Sequence, residues 1–365
     1  MSRNVGTVFA QLSLLILLGA GTAQAQDRSI ATLKRRALRS AVSGMDRAND
    51  PNNDIRYDGQ PGGTQKMGFL NRLYFEHKGD YQFVLRDGRT PSSAVDAIFR
   101  GPTRLECNSM MIAIEYRAIK SAIGRERFNR AFKGPVRKVK IIMAAAKRDD
   151  VLGPYLKTIE DPTEAKVEPG DWVYFANHSS YLDKHPAGAW QGENALCVGK
   201  NAAGQLVYSG FGVSKVTAHE MNLELKRAYN APRTSQDEAT AWRDLSAADK
   251  QRVTWMKDHS IVVAADEDAA IAKAEAGLNL SIDEFDYTLI DDTPGATLIL
   301  VEWAPLQEQF PLEIELSEVE GLVQCFRLDF KKLQRLGAPD EAAPQPVLTG
   351  SPGAPTVGIA GRLGD

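Results

Sequence analysis

The chain has 365 residues, with 44 Lys and Arg against 47 Asp and Glu, 43% hydrophobic residues and a formal net charge of -3. That balance excludes a largely disordered chain, a collagen-like fibre and a multispanning membrane protein. It also excludes a nucleic-acid binder that works by neutralising phosphates. The three cysteines are too few for a disulfide scaffold.

Arg3, the apolar run Val8 to Leu18 and Ala23-Gln24-Ala25 have the order of a cleaved signal peptide over residues 1–25. The apolar run is shorter than the roughly 20 residues that span a bilayer. The mature chain is therefore expected to start at Gln26 and to be exported, without stable membrane insertion. Ile30, Leu33, Ala37, Ala41 and Met45 recur at helical spacing, with Lys34, Arg35, Arg36, Arg39 and Arg47 on other faces. This predicts a basic amphipathic helix packed on the main domain. Residues 49–65, with Pro51, Pro61, Gly62 and Gly63, read as loop. An arm of helix and loop thus covers 26–66.

Thr90-Pro91 is a cap and first-turn pair before Ala94, Val95, Ile98 and Phe99. Gly101-Pro102-Thr103 breaks that helix. A second starts near Cys107, carries Met110, Met111, Ile114, Ala118, Ile119 and Ala122, and stops at Gly124. Pro169-Gly170-Asp171 turns into a strand, Trp172 to Phe175, and Leu206 to Tyr208 is another. Further on, Ser246 opens a helix, Glu267 to Ala276 is an Ala-rich one, and Thr297 to Trp303 is a strand. Phe310 to Leu316 alternates apolar and acidic residues and reads as a half-exposed strand, whereas Asp286 to Asp292 reads as a solvated acidic loop. From Gly337 on, a Pro-, Gly- and Ala-rich composition predicts a disordered tail.

A cysteine in the first turn of a buried helix is where a thiolate gains from unpaired backbone donors and the helix dipole. That points to Cys107 as a nucleophile, against the plainer reading of a packed thiol. In order and spacing, Leu105-Glu106-Cys107, Arg127-Phe128-Asn129, Pro169 to Asn177, Trp190-Gln191-Gly192-Glu193-Asn194 and Tyr208-Ser209-Gly210 resemble the bacterial spore-coat type protein-glutamine gamma-glutamyltransferases. The resemblance runs from about Met67 to Val216. It implies an α+β fold with a papain-like, peptidoglycan-peptidase-like cysteine transferase core over 67–216. The helical arm precedes that core, and a mixed extension (217–335) and a tail (336–365) follow it. It also implies Cys107 as nucleophile, with Glu106 and Glu193 as acid–base partners, and protein substrates offering reactive Gln and Lys side chains. Isopeptide bonds would form through a Cys thioester. Where the family carries a His, this chain has Phe211.

Moving a proton from a free Cys to a free Glu is uphill by about 4 pH units, or about 5.7 kcal/mol. Glu193 thus serves as base only if burial raises its pKa, and Trp190 is the expected apolar wall. His77, His178, His185, His219 and His259 are alternatives, with His178, His185 and His219 nearest in sequence to the proposed site. No His, Cys and Asp spacing suggests a metal, and no glycine-rich loop suggests a phosphate cofactor, so none is expected. Two other functions stay open: a papain-like cell-wall peptidase or amidase, and a non-catalytic binding member of the family. If Cys107 is the nucleophile, Cys197 and Cys325 are the only possible disulfide pair. Oligomeric state is not legible.

Overall fold

The computed structural model describes residues 29–58, 68–78, 82–135, 137–142, 151–293, 295–303 and 310–336. The expected signal peptide and the tail from Gly337 lie outside these. Helix α1 covers 29–49 and buries Leu33, Ala37, Ala41, Met45 and Ala48 in the main core, as its spacing predicts. Residues read as loop then contain a three-residue strand, β1 (Ile55–Tyr57), because its backbone pairs in parallel with β4 (Thr103–Leu105). Between them lie the hairpin β2 (Phe75–Lys78) and β3 (Gln82–Leu85), and helix α2 (Pro91–Ile98).

Next comes α3 (Cys107–Ile123), in which thirteen of the seventeen residues are buried. So apolar a helix has to be enclosed, and it sits among α1, α2, α4 (Arg125–Ala131) and β5 (Lys140–Ile142), the third strand of the hairpin's sheet. Gly124 ends it at φ 87, a backbone conformation that residues with a Cβ rarely adopt.

The central sheet is antiparallel. It comprises β6 (Leu156–Thr158), β7 (Trp172–Ala176), β8 (Gly192–Lys200) and β9 (Leu206–Gly210), with a short helix α5 (Tyr181–Lys184) between β7 and β8. Trp172 and Leu196 on one face join the α3 core. On the other face, Val173, Phe175, Ala195, Cys197 and Tyr208 pack on Met221, Leu225 and Tyr229 of α6 (Ala218–Asn230). Helices α7 (Ser235–Asp244) and α8 (Ala247–His259) follow. Beyond them, β10 (Ile261–Ala264), α9 (Glu267–Leu278), β11 (Asp286–Thr293) and β12 (Ala296–Glu302) form a third unit with its own small core around Val262, Ala274 and Ile299. The chain closes with β13 (Gly321–Leu328) and α10 (Phe330–Arg335).

Two expectations need correcting, and the structure bears on two other points. The division at Val216 does not break the sheet: β13, from the expected extension, lies between β6 and β7, giving the order β6-β13-β7-β8-β9. Asp286 to Asp292 is not a loop but most of β11, an edge strand whose acidic side chains stay exposed while its backbone pairs with β12. Phe310 to Leu316 is not a strand. Side chains take its backbone groups instead: Asn230 bonds both Ile314 N and O (2.8 and 3.0 Å), Tyr229 donates to Pro311 O, and Lys184 to Leu312 O. The Cys197–Cys325 pairing that the sequence left open is not formed, and both thiols are free. They sit on β8 and β13 with β7 between, so two strand spacings, about 10 Å, separate strands that a disulfide would need within about 7 Å.

Candidate active site

Cys107 is the first residue of α3 and half-buried; Glu106, 6% exposed, is its N-cap. One Glu106 oxygen accepts from Asn108 N (2.8 Å), and the other from Ser109 N (2.8 Å) and the Ser109 hydroxyl. This revises the expectation for the thiol. Two of the free donors at the helix start, the Asn108 and Ser109 N–H groups, are spent on the Glu106 carboxylate, which thus competes with a Cys107 thiolate for the dipole.

The thiol has two hydrogen-bond partners. Glu106 Oε2 accepts from Sγ at 3.7 Å, and Asn194 Nδ2 donates to Sγ at 3.4 Å. Asn194 is itself fixed, since Trp172 Nε1 donates to its Oδ1 at 2.8 Å from the adjacent strand. Tyr174 stands opposite Asn194 in the register, and its hydroxyl occupies the space where a side chain on Gly192 would be. Burial, then the charges of Glu193 and Glu106, push the Cys107 thiol well above its ordinary value. It is protonated at neutral pH in the resting protein.

Glu193, on β8, is not a hydrogen-bond partner of the thiol. Its Oε1 accepts from Phe211 N at 2.9 Å, and its charge still reaches Cys107. Gly210 leaves room for it: a Cβ there would stand 2.0 Å from Oε1. Burial raises the Glu193 carboxyl to about 8, the Phe211 N–H opposing and the Glu106 charge assisting. Glu106 is raised too, by burial, against the pull of its hydrogen bonds to Ser109 and Asn108. Tyr57, on β1, packs edge-on against Phe211 with ring centroids 5.9 Å apart. Burial raises the Tyr57 hydroxyl above its ordinary value, and the charges of Cys107, Glu106 and Glu193 add to that. Position 211 thus serves Glu193 through its backbone, which any residue but proline supplies.

No imidazole is among the partners of the thiol. His178 bonds the Ser180 hydroxyl (2.8 Å), and buried His185 bonds Tyr229 O (2.9 Å). His219 is exposed on α6, His77 packs on Phe83 and His259 stacks on Trp255. Trp190, the expected wall, packs partly buried against the α6-side core, its backbone N–H donating to the Tyr181 hydroxyl. The sequence reading missed Asn194, Trp172, Tyr174 and Tyr57. Asn194 was within its grasp, being the neighbour of Glu193 in the Trp190–Asn194 block. Tyr57 was not, because nothing in the sequence around it has a periodic pattern.

The family model described as protein-glutamine gamma-glutamyltransferase matches residues 63–256. The chain belongs to this transglutaminase family. Transglutaminases of the same description from Bacillus mycoides (strain KBAB4) and Bacillus cereus (strain AH820) are each 30% identical over 161 residues, 43% of this chain and 51% of theirs. The chain therefore spans about half the length of the curated transglutaminases it matches. A solved transglutaminase from Geobacillus stearothermophilus, without its C-terminal extension, aligns with a TM-score of 0.43 and 21% identity. That alignment covers 56% of this chain and 86% of the other. Cys107, Glu106, Glu193 and Asn194 lie inside the residues matched to the transglutaminase model; α1 and β1 precede them. Among the described residues no group of three or more His, Cys, Asp and Glu could hold a metal, and no helix is long and apolar enough to cross a membrane.

Proposed function

We propose that the protein is an exported protein-glutamine gamma-glutamyltransferase with Cys107 as nucleophile. One observation carries the reading. A thiol at the head of a buried helix has two buried carboxyls within electrostatic reach, and one of them is raised to about 8. Free Cys and Glu differ by about 4 pH units. In this site the carboxyl moves up to the range in which it holds and releases a proton near neutral pH.

In the acylation half, the Sγ of Cys107 forms a bond to the carboxamide carbon of a glutamine side chain. Its proton passes to a neighbouring carboxylate, with Glu106 already in contact. The C–N bond breaks, and the amide nitrogen leaves as ammonia after taking a proton from the Glu193 carboxylic acid. In the second half a lysine amine forms a C–N bond to the thioester carbon, the C–S bond breaks, the Glu193 carboxylate accepts the amine proton, and the sulfur takes back the proton left on the first carboxylate, which restores the Cys107 thiol. Asn194, held by Trp172, donates to the sulfur while it carries charge.

The test pairs a glutamine-donor peptide with a primary amine and reads the product by mass spectrometry, with Cys107→Ala as control. Amine incorporation that the control lacks is the expected result. Ammonia release or peptide cleavage without incorporation overturns the transferase reading in favour of a hydrolase. No reaction at all leaves a binding role.

A further inference from the structure

The turn that serves Glu193 is held from outside the family-matched part of the chain. Asn49 ends α1, and all three of its side-chain hydrogen bonds go to one turn. Nδ2 donates to Gly210 O (2.8 Å) and Val213 O (3.1 Å), while Oδ1 accepts from Gly212 N (3.0 Å). The turn's internal bonds are Gly210 N to Val213 O (3.0 Å) and Gly212 N to Gly210 O (3.1 Å). Gly212 lies at φ 124, so the turn has the conformational latitude of glycine and needs an external hold. Its second residue is Phe211, whose N–H reaches Glu193. Tyr57 braces the same residue from β1.

We propose that Asn49 is a positioning residue of the site, clamping the 210–213 turn so that the Phe211 N–H points at the Glu193 carboxylate. The helix carrying it is anchored by Met45 and Ala48, both buried, so the amide is delivered from a rigid element. Asparagine suits this position because one planar group supplies both the donor and the acceptor that the turn calls for. Aspartate keeps the size and the acceptor but sets an oxygen against two carbonyls. The inference rests on the transglutaminase reading only where turnover is measured.

Two variants, Asn49→Ala and Asn49→Asp, are compared with the unaltered chain and with Arg39→Ala, an exposed change on the same helix. The first measurement is the pH dependence of Cys107 alkylation by iodoacetamide, located by peptide mapping. Glu193 acts on the thiol as a neighbouring charge, so its titration appears in that profile. Losing the Phe211 N–H removes an interaction that favours the carboxylate, so the Glu193 inflection moves to higher pH, by about half a unit or more. The second measurement is amine incorporation. There kcat falls about tenfold or more, the scale of a misplaced reacting group, while KM for the glutamine peptide stays within about twofold. Arg39→Ala moves neither. An unshifted alkylation profile in either folded Asn49 variant overturns the inference. If Asn49→Ala does not fold, the near-isosteric Asn49→Asp decides. Failure of the unaltered chain to incorporate amine overturns the proposed function and leaves the alkylation result standing.

Discussion

Replacing Glu115 with Gln should make the protein more resistant to unfolding at pH 8 than the unaltered chain, while leaving it little changed at pH 4.5. Glu115 lies in the middle of α3, 1% exposed, and its Oε2 has no hydrogen-bond partner among the described residues. Burial, helped by the charge of Asp171, raises its carboxyl from 4.5 to about 8. Asp171 itself is tied up by Arg327, which donates to both of its oxygens at 2.8 Å. Between pH 4.5 and 8 the unfolded chain has lost a proton that the native chain keeps, so stability falls as pH rises through that window. A separation of about 3.5 pH units, at about 1.36 kcal/mol each, sets the loss at about 5 kcal/mol from this side chain. Glutamine has nearly the same shape and no proton to lose. Urea unfolding followed by tryptophan fluorescence at pH 5, 6, 7 and 8 gives the stability difference directly. The two curves should diverge with rising pH, and Glu193, titrating over the same range in both proteins, cancels. Parallel curves, separated by less than about 1 kcal/mol throughout, would refute the claim that Glu115 is held neutral.

Glu193→Gln should lower amine incorporation by about 100-fold or more, the scale of a lost acid–base group. It should also abolish the alkaline limb near pH 8, where the unaltered Glu193 gives up the proton destined for ammonia; a retained limb in the pH–rate profile would count against the assignment. Glu106→Gln should cost less by itself if Glu193 partly substitutes for it, with the double variant far worse than either, as a double-mutant cycle would reveal. Gly210→Ala forces a methyl to within 2.0 Å of the Glu193 carboxylate; activity should fall at least as far as in Glu193→Gln, and an active, stable Gly210→Ala protein would sink the packing argument. Non-reducing peptide mapping should find all three cysteines as thiols, and reductant should leave the melting temperature unchanged; a Cys197–Cys325 peptide would contradict the strand order.

What could be read from the sequence was what is decided locally. Gly101-Pro102 and Gly124 bracket α3, and Pro169-Gly170 opens β7, because such turns need special backbone conformations wherever they occur. The place of Cys107 at a helix start followed from the Gly-Pro break before it, whereas Glu106 and Glu193 as its partners came from the family resemblance alone. Reading where the helix donors go was harder, since Glu106 competes for the same N–H groups that a thiolate would use. The errors came from partners distant in sequence. Alternation in Phe310 to Leu316 looks like a strand until Asn230 and Tyr229 occupy its backbone. The acidic side chains of β11 say nothing of the β12 strand beside it. Asn49 reaches a turn about 160 residues away, and its surroundings read only as the start of a loop.

The place of β13 bears on when the candidate site is assembled during synthesis. An interior strand of the sheet that carries Trp172, Glu193 and Asn194 is contributed by residues 321–328, more than a hundred residues after the last of the site's groups has left the ribosome. Until those residues emerge, β7 has one bare edge, and buried Asp171 lacks the Arg327 that neutralises it. Pairing so distant in sequence forms slowly, after local helices and hairpins. A growing chain thus exposes Cys107 long before the strands opposite it are locked in register. An unfinished molecule thus carries the thiol, Glu193 and Asn194 on a sheet that still lacks one of its interior strands.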